Sequence, residues 1–425
     1  MKKVLVFFPH NLWPPRTGAH KRGLEIIAGF RELGFEVTLV SSTLSTDNYW
    51  EPSSIEALKK NLVKDVYVYE ATSADHNYIE RLRKFYQADY RFIPILRRLY
   101  PLGRREPPLN SRLYSPPGMR QWFSDILEQT APDVVVMNYA FWDGLLDHRK
   151  LKSVLRIIDT IDLISLNARM QRVLRESLPV PLRVDRIDAD LLQEDFFERR
   201  GMTASPEEFR IYDRYDYSVA ITASEAEAIR QHTRKTNVML IPMTQEPCYI
   251  SNTYADAALF PVGPNLFNTQ GYLYFVNRVL PQVRKKVPSF SLRVTSFYDH
   301  MIPPEAVEGI ISCGFVPELK TLYKTSRFVV CPVFGGTGQQ VKIVESMAHG
   351  VPVVALRSAA DRSPLKHEVS GLVARDANEF AEHVAQLWNN KDLCRKLGNL
   401  ARETVATQFS RLNLLEKLEL MVSSS

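Results

Sequence analysis

Short apolar runs rich in β-branched residues alternate with longer amphipathic stretches along nearly the whole chain, and nothing else in the sequence constrains the fold as strongly. The runs Val4–Phe8, Glu36–Ser41, Val66–Tyr69, Asp133–Met137, Ser153–Asp159, Ser218–Thr222 and Val238–Pro242 lack strict polar–apolar alternation. Strands of that kind are covered on both faces, as in a parallel sheet with crossover helices. The first amphipathic stretch predicts a helix over Gly18–Leu33. A second series begins with a strand at Leu259–Val262 and a helix at Thr269–Lys286. It continues with strands at Leu292–Ser296, Ile310–Val316, Phe328–Pro332, Val351–Leu356 and Leu372–Ala374, and helices at Pro317–Ser326, Gln339–Gly350, Ala377–Asn389 and Asp392–Thr407. The expected class is α/β: two doubly wound, Rossmann-like parallel-sheet domains, 1–242 and 243–408, facing a cleft. Residues 409–425 are expected to add a helix that packs back on the first domain. With 425 residues the chain is long enough for two hydrophobic cores.

Composition narrows the partners. Lys plus Arg exceeds Asp plus Glu by only six over this length, which does not point to nucleic acid. Cys248, Cys313, Cys331 and Cys394 lie far apart, without zinc spacing, and read as scattered buried thiols of a reducing compartment. The first residues, MKKVLVFFPH, are too short an apolar run for a signal peptide. No stretch approaches the ~18 apolar residues of a membrane-spanning helix. The expected location is cytoplasmic.

The sharpest local signal is Phe328-Val-Val-Cys-Pro-Val-Phe-Gly-Gly-Thr-Gly-Gln-Gln-Val-Lys-Ile-Val-Glu-Ser-Met-Ala-His-Gly-Val-Pro-Val-Val, read as strand, glycine loop, helix, turn and strand. Gly335, Gly336 and Gly338 permit left-handed backbone and close approach of a ligand. A helix N-terminus beyond them favours a phosphate. Lys342 and Glu345, three apart, share a helix face. An ammonium there suits a diphosphate, and a carboxylate suits ribose hydroxyls. The alternative is a plain strand–helix turn with Lys342 and Glu345 as a solvated ion pair.

This segment resembles the retaining, nucleotide-sugar-dependent "group 1" glycosyltransferases of GT-B fold, whose glutamate-bearing helix closes in MA-x-G-x-PVV, here Met347–Val354. Gly263–Gly271, Gly314–Tyr323 and Gly371–Asp376 extend the similarity through the C-terminal half. Pro14–Arg22, Gly34–Val40 and Ser218–Glu225 extend it, more loosely, to the N-terminal half. The resemblance implies donor binding by Gly18, Val316, Gly335, Gly336, Thr337, Gly338, Gln339, Lys342 and Glu345, with Val316 at the nucleobase and Glu345 at the ribose. It implies catalytic roles for Lys342, Asp162 and Asp159, no metal, and no cofactor beyond the nucleoside diphosphate sugar itself. The acceptor would be a glycan, a lipid-linked or a small molecule.

Three departures stand out. Thr337 takes the place of a glutamate that many members carry, Ile161 that of a histidine, and Gly263–Gly271 contains neither the Arg nor the Lys that often grips the diphosphate. They keep two alternatives open: a non-catalytic sugar-nucleotide-binding or partner-binding protein, and a nucleotide-sugar epimerase. Arg22 is expected to support the loop around Gly18, Ser224 to cap a helix, and Asp159 or Asp162 could equally be a helix cap. Asp188-Ala-Asp190 has the DxD spelling of metal-dependent sugar transferases but falls in a charged helical pattern over 183–200, which favours a solvated helix face. Residues 79–105 mix eight Arg/Lys with five Phe/Tyr. That suits either peripheral contact with an anionic membrane surface or a helix covering the sheet with snorkelling arginines.

Overall fold

A computed structural model describes residues 1–45, 49–87, 112–179, 181–263, 265–295 and 306–423. The first sheet contains β1 (Lys3–Phe7), β2 (Glu36–Ser42), β3 (Asp65–Tyr69), β4 (Val134–Asn138), β5 (Leu155–Asp159), β6 (Tyr217–Ala220) and β7 (Asn237–Leu240). They run parallel in the order β3-β2-β1-β4-β5-β6-β7. The second contains β8 (Ala258–Phe260), β9 (Leu292–Thr295), β10 (Ile310–Gly314), β11 (Val329–Cys331), β12 (Val353–Leu356) and β13 (Gly371–Ala374), parallel in the order β10-β9-β8-β11-β12-β13. Each sheet thus reverses winding direction beside its first strand, between β1 and β4 and between β8 and β11. A crevice opens at such a switch point.

The absence of alternation in the strands has its expected cause. Leu5 and Phe7 join one apolar cluster with Val135 and Met137, whereas Val4, Val6 and Phe8 join another with Val134 and Val136 on the opposite face. Both faces of the sheet are dry, so both sets must be apolar. The C-terminal helix, Arg411–Ser423, lies on the first helix, Gly18–Glu32. Leu414, Leu418 and Met421 pack with Ile26 and Phe30, and Arg411 donates to Glu32 Oε1 at 2.7 Å and to the Glu25 carbonyl at 2.9 Å.

Several local expectations are corrected. The single helix expected over 269–286 starts at Leu266 and is divided by a π turn, Phe275–Val279, before Leu280–Lys286. Pro281 lacks an N–H, and the widened turn accommodates that missing donor. The helix expected from Gln339 spans only Val341–Ala348, leaving a nine-residue loop after Cys331. Ser224 does not cap the helix Ala223–His232. Thr222 does, accepting from the Glu225 amide, in the T-x-x-E spacing of a capping box. Residues 183–200 form short 3-10 turns rather than a long helix; Asp188 caps one, and Asp190 is held by Arg199 and Arg200 at 2.7 Å each. All four cysteines are unpaired, and only Cys331 and Cys394 are fully buried. Of the basic, aromatic segment 79–105, residues to 87 continue the helix Ser73–Gln87, and 88–105 lie outside the described residues. Among the described residues no helix is long and apolar enough to cross a membrane, and no group of three or more His, Cys, Asp or Glu is placed to hold a metal ion.

Candidate active site

A cleft of about 1240 Å³ runs between the carboxyl ends of the two sheets. Its first wall comes from the loop after β1 (Arg16, Thr17, Gly18), from Tyr139 after β4, and from Ile161, Asp162 and Asn167 after β5. The second wall comes from Pro261, Val262 and Asn268 after β8, Phe315–Lys320 after β10, the glycine loop after β11, and Arg362. All nine residues expected at the donor (Gly18, Val316, Gly335, Gly336, Thr337, Gly338, Gln339, Lys342 and Glu345) line this one space, and so does Asp162. Asp159 does not.

The three loop glycines serve different ends. Gly336 has φ +104, a conformation L side chains avoid. A Cβ on Gly335 would fall 2.4 Å from the Phe267 ring and 2.6 Å from Phe197, so that glycine answers to packing rather than to ligand. A Cβ on Gly338 would lie 3.4 Å from the Ile161 carbonyl oxygen and 3.5 Å from the Asp162 carboxyl carbon, so the loop closely approaches the opposite wall here. Thr337 is buried and accepts from Asn167 Nδ2 across the same gap at 3.4 Å.

Lys342 and Glu345 are not an ion pair. The Lys342 ammonium bonds the neutral amide oxygen of Asn268 and sits 5.3 Å from the centre of the Phe260 ring, and burial pushes its pKa down. Asn268 in turn donates to the Gly263 carbonyl at 3.0 Å, so the segment without its own cation borrows this one. Glu345 accepts from Tyr323 Oη at 3.4 Å, and His349 stacks on Tyr323 with ring centres 4.6 Å apart. Beyond Tyr323, Phe315 and Val316 rim the cleft, with Phe315 62 % exposed.

The two aspartates separate sharply. Asp159 is 1 % exposed and paired with Arg22 at 2.8 Å; Arg22 also donates to the Pro242 carbonyl at 3.2 Å. That pair braces the first helix against the sheet, which removes Asp159 from the reacting space. Asp162 faces the cleft and accepts from Asn167 Nδ2 at 2.6 Å, while its Oδ1 is buried without a partner. It does not cap the next helix, Ile164–Ser177, because Glu208 accepts from the first amides, Ile164 and Ser165, at 2.8 and 3.1 Å. Burial raises the Asp162 pKa to about 7; Arg362 opposes the rise and Glu208 adds to it. Two residues beside it, Tyr139 and Ile161, have left-handed backbone (φ +62 and +58), unusual for an aromatic and a β-branched residue. Such strain, of order 1–3 kcal/mol each, collects at functional sites.

The raised pKa has a measurable consequence. The group favours the folded state fully below its unfolded pKa near 4, and that contribution disappears as pH rises through about 7. Asp162→Asn lacks the penalty. Its stability relative to the parent should therefore rise between pH 5 and pH 8, by at most about 3 kcal/mol. Urea unfolding at the two pH values checks this; the same difference at both would show that the carboxyl titrates normally.

Sequence reasoning missed Arg362, Asn268, Asn167 and Tyr323. Arg362 is 7 % exposed, and its Nη2 donates to the Gly335 carbonyl at 2.9 Å, beneath the glycine loop. Cationic side chains in the cleft (Arg16, Lys21, Lys320, Lys342, Arg362) outnumber carboxylates (Asp162, Glu318, Glu345). The space suits an elongated anion.

Solved structures similar to this chain share its whole arrangement. Sucrose-phosphate synthase from Thermosynechococcus elongatus superposes with a TM-score of 0.61 at 13% identity, covering 100% of this chain and 99% of that one. HepE of Anabaena in complex with UDP and glucose gives 0.58 at 10% identity over 100% of both. A mutant of S. aureus TarM in complex with Fondaparinux, alpha-GlcNAc-glycerol and UDP gives 0.61 at 13% identity over 99% of both. The fold is GT-B. Residues 258–390, containing the glycine loop, Lys342, Glu345 and Arg362, match the sequence family described as "Glycosyl transferases group 1". A Klebsiella pneumoniae protein described as "Uncharacterized 44.6 kDa protein in cps region" is 24% identical over 139 residues, which are 30% of this chain and 36% of that protein.

Proposed function

We propose that this GT-B chain is a glycosyltransferase that moves a sugar from a nucleoside diphosphate sugar to an acceptor with retention of configuration. The second sheet would hold the donor, and the first the acceptor: a glycan, a lipid-linked or a small molecule. The observation that carries the reading is the meeting of the glycine loop and Asp162 across the cleft, with Lys342 below the loop and Glu345 further along it. That order matches the parts of a nucleotide sugar: sugar at Asp162, diphosphate at the loop and Lys342, ribose at Glu345, base toward Val316. The family match over 258–390 and the UDP held by two of the similar structures support the same donor class.

The chemistry follows from charge. As the glycosidic bond breaks, negative charge grows on the leaving diphosphate. Fixed donors already aimed at that position lower the barrier without reorganising. Lys342 and the loop amides supply them, so the reading calls on no metal ion. In a front-side path the leaving phosphate takes the acceptor proton, and no protein base is needed. Asp162, with a pKa of about 7, can present either a proton or a lone pair to a sugar hydroxyl near neutrality.

Incubation with radiolabelled UDP-, GDP- and TDP-sugars tests the proposal. The expected result is slow acceptor-independent release of the nucleoside diphosphate from one of them, accelerated by a glycan or lipid-linked acceptor, with the product keeping the donor's anomeric configuration. Binding without turnover would favour the non-catalytic alternative, which the buried Thr337 in place of a glutamate motivates. Conversion of the donor into its epimer, with no saturable acceptor, would favour the epimerase.

A further inference from the structure

Two cations, the half-buried Lys342 and the buried Arg362, stand at the floor of the cleft, and among the described residues neither forms an ion pair. Lys342 bonds a neutral amide, as described above. Arg362 comes from the loop after the short helix Arg357–Ala360, between β12 and β13, far in sequence from the glycine loop. Its Nε donates to the Ser358 carbonyl and its Nη2 to the Gly335 carbonyl, each at 2.9 Å. With the Gln340 amide turned to satisfy both groups, the Gln340 oxygen accepts from Nη1 at 3.0 Å and Nη2 at 2.9 Å. The Nη1 nitrogen lies only 2.6 Å from where a Cβ on Gly336 would be, so a glycine there is what opens this guanidinium to the cleft.

Removing a cation from water without a carboxylate beside it costs several kcal/mol. Burial lowers the pKa of both groups, that of Arg362 to about 10. The carboxylates that favour the Arg362 cation are Asp162 on the opposite wall and Asp361 beside it, and burial raises the pKa of Asp162 itself. Two such cations under one glycine loop make sense when an anion with two charged groups completes the site.

We infer that Arg362 is the second cation of the diphosphate site, acting with Lys342 in place of the Arg and Lys that Gly263–Gly271 lacks. The inference rests on the transfer reading and specifies how the donor phosphates are held. The guanidinium has one Nη1 proton beyond those given to Ser358, Gly335 and Gln340. If the Gln340 amide swings aside, one more proton on each of Nη1 and Nη2 is released, which would give a phosphate the paired contact a guanidinium favours.

The test uses inorganic pyrophosphate as the probe and calorimetric titration of the full chain. The parent should bind it, Arg362→Met should bind at least tenfold more weakly, since bonds to charged groups are the strong ones, and Arg362→Lys, which keeps the charge but not the paired contact, should recover part of that loss and bind more tightly than Arg362→Met. If Arg362 were only a strap for the Gly335 carbonyl, lysine would fail as badly as methionine, because it cannot span Ser358, Gly335 and Gln340 together. That result, no loss in Arg362→Met, or no binding by the parent overturns the inference. Should the methionine variant not fold, Arg362→Gln serves as the uncharged comparison for the lysine variant. Arg362-dependent pyrophosphate binding without turnover of any nucleotide sugar would sink the transfer reading and leave this inference standing. Normal turnover by Arg362→Met would do the reverse.

Discussion

Replacing Lys342 with methionine is expected to slow sugar transfer by about 10²–10³-fold, the loss typical of removing one fixed donor aimed at a developing charge. Methionine keeps the side-chain volume beside Phe260 and removes only the ammonium. The folded protein should not suffer for it. The ammonium is desolvated, and among the described residues it bonds the Asn268 amide and no carboxylate; taking a poorly compensated charge out of such a setting is neutral or stabilising. The variant should thus melt no lower than the parent while losing turnover under saturating donor. A variant within threefold of the parent rate would mean that the leaving charge falls elsewhere.

The second large effect is structural and lies behind the loop. Gly398→Ala is expected to destabilise the protein by more than about 3 kcal/mol, although alanine is the better helix former by about 1 kcal/mol. Gly398 lies in the helix Lys391–Gln408, and a Cβ there would stand 2.0 Å from the Gly350 carbonyl oxygen and 3.0 Å from Tyr254 Oη. That oxygen already accepts from Tyr254 Oη at 2.9 Å, in the turn that ends the helix bearing Lys342 and Glu345. Backbone at such a position cannot yield as a side-chain tip can. The variant would have to push the helix Lys391–Gln408 away from the helix Val341–Ala348, lowering stability and displacing the donor wall together. A melting temperature equal to or above the parent's would contradict this packing.

What could be read from the sequence follows its physical source. Strands buried on both faces announce themselves through unbroken apolar runs, and the glycine loop through residues that only a special backbone requires. Capping was readable too: the Thr222-x-x-Glu225 spacing identifies the cap that Ser224, two residues on, does not provide. Arg362 was not readable. It sits in a short polar connection with no periodicity, and its burial depends on Gly335 and Gln340, more than twenty residues before it. Nor does any local pattern reveal the left-handed backbone at Tyr139 and Ile161, which tertiary packing imposes. The division of labour between Asp159 and Asp162 was likewise hidden, because it turns on Arg22 reaching across from the first helix.

In this reading the loop from Pro332 to Gln340, with the helix beyond it, holds the diphosphate of a nucleotide whose ribose meets Glu345. Thermal unfolding with a panel of UDP, GDP, TDP, ADP and CDP tests it most directly. One nucleoside diphosphate, at ~100 times its Kd, should add about 2.7 kcal/mol of stability, and Glu345→Ala should reduce that gain. If none of the five raises the melting temperature, or the gain is untouched in Glu345→Ala, the account of the site is contradicted.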